Sequence, residues 1–483
     1  MMVKQVRFPM ARNLWGFDCD AIINTFFHRS QPHRCKNLPQ LGLGLIQNLS
    51  VMGGRFRVAR IMNVRILLAL LILAFAPPAW AEDGSAESIR ASRTLDDRAP
   101  EAARPLPHRL LAVEAQANRL AVIEAADLAL AARLPLRGPL AGPPLASPDG
   151  RFAYTIGADG WVERFDLRAL RASGRIRVGA LASGLALSED GAWLLAALAQ
   201  PGQLVALRAP DLELFRVIPG RSERGLPASV GAVRTVPTRA SFVALLPEIA
   251  EIWELSHDAE APPVYAGMVH SFEKGLEEAV GETQPFARRR TKAQAALGAF
   301  FLSPDGVEIG GGHAKGPGGA VYNLDARRLA ARLDADPRLE FAAGRPVSFH
   351  THPAMAFPVA GKAELALLDR HYWRLLGRLP LMAPARHVAL AGPDGHLWVS
   401  GFFEPHRDTV EIVDPVRRQS VARFRPAPGE PAGPILLAPD GRLAYVLIEG
   451  AKGGVVALDA ASQKPVKRLE LSDPVALIPL FVR

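Results

Sequence analysis

At 483 residues, 49% of them hydrophobic and 22% charged, the chain has ample apolar material for a large core, which excludes an intrinsically disordered protein. A formal net charge of +9 would suit a nucleic-acid binder, but a segment near residue 70 with the composition of an export signal argues against that class. Both cysteines, Cys19 and Cys35, precede that segment. Residues 82–483 therefore offer no disulfide, no thiol nucleophile and no Cys-x-x-Cys-His attachment for a c-type haem.

Residues 1–61 are basic and follow neither a helical nor a strand period. They read as a mis-assigned or disordered N-terminal extension with Met62 as the initiator; a long cytoplasmic n-region with its own role is the alternative. Residues 62–81 read as a signal peptide. Arg65 supplies the positive end, Ile66 to Phe75 the apolar stretch, and Ala79-Trp80-Ala81 the cleavage site. The apolar run is too short to span a bilayer comfortably, so the periplasm is the expected compartment and no membrane span is expected after cleavage. Residues 82–107, rich in Ala, Ser, Arg and Pro, read as a flexible lead-in.

From residue 108 onward one pattern recurs. An Asp-Gly turn feeds an apolar strand, a polar loop follows, then a β-branched strand ending in Asp, then a short further strand. Gly392 to Phe424 is the clearest copy, and Pro439-Asp440-Gly441 opens the next. The terminal residues Asp325, Asp369, Asp414 and Asp459 lie 44, 45 and 45 apart, and weaker equivalents continue upstream at Ser256, Arg208, Asp166 and Glu124. A period of about 40–50 residues with four short strands per unit is that of a β-propeller. Residues 108–483 are thus expected to be all-β, an eight-bladed β-propeller of four-stranded antiparallel blades. The step from 256 to 325 is long and implies an insertion at about 269–293, with Glu273 to Val280 as a short helix.

In a four-stranded meander A–B–C–D, the A–B and C–D turns share one end of the blade, and the B–C loops and D–A connections share the other. The Asp-Gly turns are A–B turns. B–C loops hold His313 and Lys315, then His406 and Arg407. D–A connections hold Arg345, Arg386 and His387, and the insertion is expected to add Arg288-Arg289-Arg290 and Lys292 to the same rim. Cations and imidazoles crowded around one mouth imply an anionic ligand or partner; solvated loop charges are the plainer account of any one of them.

Gly310 to Gly319 is like a phosphate loop only in composition, because Lys315 is not followed by Ser or Thr and the stretch joins two strands. No Gly-x-Ser-x-Gly elbow and no His-Glu-x-x-His pattern occurs, so any catalysis would draw on a bound cofactor. His350 and His352 would share one face of an extended strand, which suits a metal or a tetrapyrrole; a merely hydrogen-bonded pair is the alternative.

Three stretches, Gly150 to Leu167, Ser348 to Pro353 and Trp398 to Asp414, resemble the haem d1 domain of cytochrome cd1 nitrite reductase, and the third is most similar to its NirF-type relatives. The likeness runs over roughly residues 105–475. It implies a periplasmic protein of late haem d1 biosynthesis that binds haem d1 or dihydro-haem d1, an anionic tetrapyrrole. If it is an enzyme, the implied activity is dehydrogenation of the dihydro precursor. His352, followed by Pro353, matches a distal-pocket histidine and is the one candidate to face the haem iron. The second such histidine falls at Gly392 before Pro393, and the segment matching the proximal ligand, Leu226 to Val233, contains none. With the c-type haem domain also missing, nitrite reduction is not implied.

The resemblance makes His352, His350, His387, Arg386, His406, Arg407, His313, Lys315 and Arg345 the cofactor-binding candidates, since Arg pairs carboxylates bidentately and stays charged. It also implies other haem d1 maturation proteins or a periplasmic cytochrome as partners, and no nucleic acid. A cofactor-free propeller that scaffolds a periplasmic complex is the rival reading.

Overall fold

A computed structural model describes residues 84–96, 108–270, 277–333, 338–391 and 395–480. The expected signal peptide and everything before it lie outside the described residues. So do residues 97–107 of the expected lead-in.

The repeat folds as the spacing predicts. Among the described residues eight antiparallel blades follow one another along the chain, one per repeat, each a four-stranded meander to which blade two adds a fifth, edge strand. Strand C ends at Glu124, Asp166, Arg208, Ser256, Asp369, Asp414 and Asp459 in seven blades, and Asp325 sits two residues beyond the end of the eighth, Gly319–Asn323. The reason for an aspartate there is local. The Oδ1 of Asp414 accepts from the backbone N–H groups of Val416 and Arg417 at 2.8 and 2.9 Å, and Asp166 and Asp369 do the same for the two turns they precede. Each carboxylate thereby satisfies donors that the C–D turn would leave open.

The A–B turns have an equally specific origin. In blade two, Ser147 Oγ accepts from the Phe152 N–H and bonds Asp149 at 2.5 Å, while Gly150 takes the left-handed conformation at φ +66°. Ser188-Glu-Asp-Gly191 and Ser303-Pro-Asp-Gly306 build the same turn in blades three and five.

The ring closes with a strand from the far end of the chain. Pro474–Leu480 serves as strand A of blade one beside Arg109–Glu114, with Leu480 opposite Arg109 and Ala476 opposite Val113. Cores lie between neighbouring blades: Leu110, Ala121 and Ile123 of blade one pack with Tyr445, Leu447 and Val455 of blade eight. No helix among the described residues is long and apolar enough to cross a membrane.

Two expectations need correction. The insertion is a β-hairpin, Val264–His270 paired with Glu277–Glu282, so Glu277 to Val280 is strand rather than helix. It lies between strands C and D of blade four, because Arg288–Lys292 is itself strand D, paired with Glu251 to Leu255. Arg288, Arg289, Arg290 and Lys292 are therefore outer-strand residues rather than members of a D–A connection. All four have carboxylate partners: Arg289 meets Glu254 at 2.9 Å and Arg290 meets Glu251 at 3.5 Å within blade four, while Arg288 meets Glu282 of the hairpin and Lys292 meets Glu223, each at 2.8 Å.

The second correction concerns the lead-in. Residues 84–96 hold structure: a helix, Ala86–Ser92, and a two-residue strand, Thr94–Leu95, which adds a fifth strand to blade two. Ser85 caps the helix, Ile89 is 1% exposed in the cluster of blades two and three, and Asp96 pairs with Arg171 at 2.5 Å. One buried isoleucine and an edge pairing outweigh a composition that reads as disorder.

Candidate functional site

Strand A of every blade faces the central channel, and its first residues stand at the end that carries the B–C loops. Blade six opens strand A with Arg345, and blade seven opens it with His387 directly after Arg386. Blade four contributes Arg234 from Ala232–Val236, and its guanidinium lies 4.4 Å above the Phe300 ring of blade five. These groups sense one another. Burial, then Arg345, pulls the Arg234 guanidinium down to about 10. Burial, then Arg386 and Arg345, pulls the His387 imidazole down to about 4, so it is neutral at pH 7.

Two carboxyls face this cationic group. Glu340, from the connection between blades five and six, and Glu449, at the start of the B–C loop of blade eight, are both raised above the usual range. Burial is the main cause for each, working against the pull of Arg386. His387 Nε2 lies 4.0 Å from Glu449 Oε1. Neither Arg386 nor Arg345 has a carboxylate within salt-bridge reach among the described residues. Arg386 instead rests 4.6 Å over the ring of Phe403, which is 46% exposed.

A cavity of about 250 Å³ opens here, lined by Arg386, His387, Phe403, Arg407 and Glu449 together with backbone of Gly401 and Ala432. Backbone bonds between blades seven and eight hold its wall: Gly401 N–H to Ala432 at 2.9 Å, Ala432 N–H to Arg407 at 2.8 Å, and Glu449 N–H to Pro431 at 2.9 Å. Two glycines make room. A Cβ on Gly401 would meet the His387 ring at 2.6 Å, and one on Gly433 would meet Glu449 at 2.7 Å.

The structure thus groups Arg345, Arg386, His387 and Arg407, four of the nine residues singled out from the sequence. His406 lies in the same loop as Arg407, partly buried, its N–H bonded to Phe403. Arg407 is bound to Glu404 at 2.9 Å and to the Gly429 carbonyl. His313 and Lys315 share that end of the disc but belong to blade five, where His313 Nδ1 donates to the Pro317 carbonyl. His350 and His352 are not brought into the group. They flank the A–B turn of blade six, at the opposite end of the strand that Arg345 begins, roughly 15 Å away for a five-residue strand. His350 is not extended either: its φ is +52°, so the two imidazoles do not share a strand face. Gly392 and Pro393 lie outside the described residues.

Sequence reasoning missed Arg234, Glu340, Phe403 and Glu449. Arg234 had a signal, for it directly follows the Leu226 to Val233 segment searched for a histidine. The Gly-rich run also has a structural explanation. A Cβ on Gly310 would meet the Phe301 ring at 2.4 Å, and Cβ atoms on Gly312 and Gly319 would meet Phe341 at 3.0 and 3.1 Å. Those glycines admit an aromatic stack.

Comparison with known proteins agrees with the fold. The profile of the family described as Cytochrome D1 heme domain matches residues 108–271 and 344–477. The unmatched interval holds blade five, strand D of blade four and the second arm of the inserted hairpin. A dihydro-heme d1 dehydrogenase of Pseudomonas aeruginosa is 29% identical over 413 residues, covering 84% of this chain and 79% of the relative. Protein NirF of the same organism is 25% identical over 296 residues, covering 59% of this chain and 69% of the relative. The solved structure of dihydro-heme d1 dehydrogenase NirN in complex with DHE superposes with a TM-score of 0.72 at 28% identity, covering 85% of each chain. With the family profile matching more than half of the chain, the chain belongs to the cytochrome d1 haem domain family.

Proposed function

We propose that this protein binds a haem d1-type tetrapyrrole or its dihydro precursor at the B–C end of the propeller and acts late in haem d1 biosynthesis. The observation that carries the reading is the cationic group Arg234, Arg345 and Arg386, set by strands from three blades around a neutral His387. A tetrapyrrole with several carboxylates neutralises such a group, and the exposed ring of Phe403 offers a face for stacking. The residues present fit the acidic periphery of the cofactor. Arg345, Arg386 and Arg407 would hold it, with His313, Lys315 and His406 on the same rim. The likeness to a dihydro-heme d1 dehydrogenase over 84% of the chain supports the same class of ligand.

If the protein oxidises its ligand, converting –CH2–CH2– to –CH=CH– releases two protons and two electrons. Two equivalents of a one-electron carrier, such as a periplasmic cytochrome, would take those two electrons. The periplasmic assignment rests on the export pattern at Met62 to Ala81.

The test is visible spectroscopy of the purified protein titrated with haem d1 and with dihydro-haem d1. Binding shifts the absorption bands of at least one of them. Unchanged spectra with both would leave the scaffold as the better account.

A further inference from the structure

The cavity between blades seven and eight is small for the ligand proposed above. At about 250 Å³ it falls below the roughly 300–1,000 Å³ typical of pockets for drug-sized ligands, and a tetrapyrrole is larger than those. It is large enough for one flexible acid substituent. Its walls suit that group: a guanidinium that, among the described residues, has no carboxylate within salt-bridge reach, a neutral imidazole, and a carboxyl that among the same residues has no cation within 4 Å other than that imidazole. The positions of His387 and Glu449 are built in, because any side chain at Gly401 or Gly433 would strike them.

We propose that this pocket receives a single carboxylate side chain of the tetrapyrrole, with Arg386 as its counter-charge and Glu449 as a carboxyl that shares a proton with it. The proposal rests on the tetrapyrrole-binding reading and gives it an orientation: one acid chain enters between blades seven and eight while the ring stays outside, over the channel. A second anion beside an ionised Glu449 would be repelled, so seating the ligand fixes a proton between the two carboxyls. Burial already favours the protonated form of Glu449. Binding then takes up a proton, and affinity falls as pH rises.

The other groups that face Glu449 do not supply this dependence. His387 is already neutral above pH 5, and the remaining lining groups with charge are the guanidinium side chains of Arg386 and Arg407. Asp473 adds a fixed negative field, Glu404 is engaged by Arg407, and Glu340 faces Arg386 from the blade-six side.

The test uses the full chain and haem d1, titrated by visible absorbance at pH 6, 7 and 8. Wild type should weaken with pH, by up to about tenfold per unit. Glu449→Gln should bind with an affinity that does not change across that range. Arg386→Gln, at an exposed position and with its far-UV circular dichroism and melting temperature checked against wild type, should weaken binding tenfold or more at every pH. Methyl-esterified haem d1 should bind wild type no better than the free acid binds Arg386→Gln. If the wild-type pH slope persists in Glu449→Gln, or if ester and acid bind alike, the subsite is wrong while tetrapyrrole binding stands. Failure of wild type to bind haem d1 at any pH would overturn the functional reading and the subsite together.

Discussion

The phenolic O–H of Tyr445 donates to the carbonyl of Ala125 at 2.9 Å, joining strand B of blade eight to the C–D turn of blade one across 320 residues of sequence. Tyr445 is 2% exposed, and burial raises its pKa, so the group stays a neutral donor. Together with Pro474–Leu480 it fastens the seam where the ring meets itself. Tyr445→Phe removes the donor and leaves a buried carbonyl without it. The expected loss is about 1–2 kcal/mol, read as a lower urea midpoint with an unchanged slope. A midpoint equal to wild type would mean that the seam is held by packing alone.

His387 provides a prediction in pH. Its folded pKa, about 4, lies below the unfolded value of 6.5, so the unfolded chain binds a proton first on acidification. Stability owed to the neutral imidazole is complete above pH 6.5 and declines as pH falls toward 4. Thermal midpoints of wild type and His387→Gln, compared from pH 4 to 8, should differ by an amount that changes only in that acidic window. A constant difference across the whole series contradicts the assignment.

Glu254 separates structural arginines from ligand-facing ones. It is 5% exposed and accepts from Arg239 at 2.6 Å and from Arg289 at 2.9 Å, linking strands of blade four. Glu254→Ala removes the carboxylate shared by Arg239 and Arg289, and with Arg239 still held by Asp325 at 2.8 Å the loss should be about 1–3 kcal/mol. Arg289→Ala should lower stability but leave haem d1 titrations unchanged, in contrast to Arg386→Gln. Loss of cofactor binding in Arg289→Ala would return the insertion to the rim.

Gly310 tests the meaning of the glycine run. Alanine there would push against Phe301 at 2.4 Å and Val321 at 2.9 Å, with ring and strand both fixed by the blade core. The expected cost is about 1–3 kcal/mol from overpacking, with no change in phosphate or nucleotide binding. A neutral effect on the melting temperature would show that the Phe301 ring can swing aside.

The last prediction concerns the N-terminal strap. Ile89→Ala removes the one buried side chain of the Ala86–Ser92 helix. Amide exchange across residues 86–95 should quicken about tenfold or more, while core strands of blades six to eight keep their rates. Uniform acceleration throughout would make the strap part of the global folding unit.

Some of this molecule could be read from the chain alone, because the chemistry involved is local. An aspartate that closes a C–D turn and a Ser-x-Asp-Gly that builds an A–B turn act within five residues of themselves, so their spacing reports the blade count directly. The end at which Arg345, Arg386 and His387 stand is legible for the same reason: Arg345 and His387 each begin a strand A, Arg386 immediately precedes one, and strand order fixes which end that is. His350 and His352 follow the same rule to the opposite end, since a five-residue strand separates them from Arg345. What the chain could not show is which distant groups become neighbours. Arg288 to Lys292 carries no apolar alternation, and only pairing with Glu251 to Leu255 makes it a strand. Glu449 comes within 4.0 Å of His387, and Arg234 within the field of Arg345, because the ring closes and packs their blades around one channel. Burial and mutual charge set the protonation of those groups, and both are properties of the closed ring.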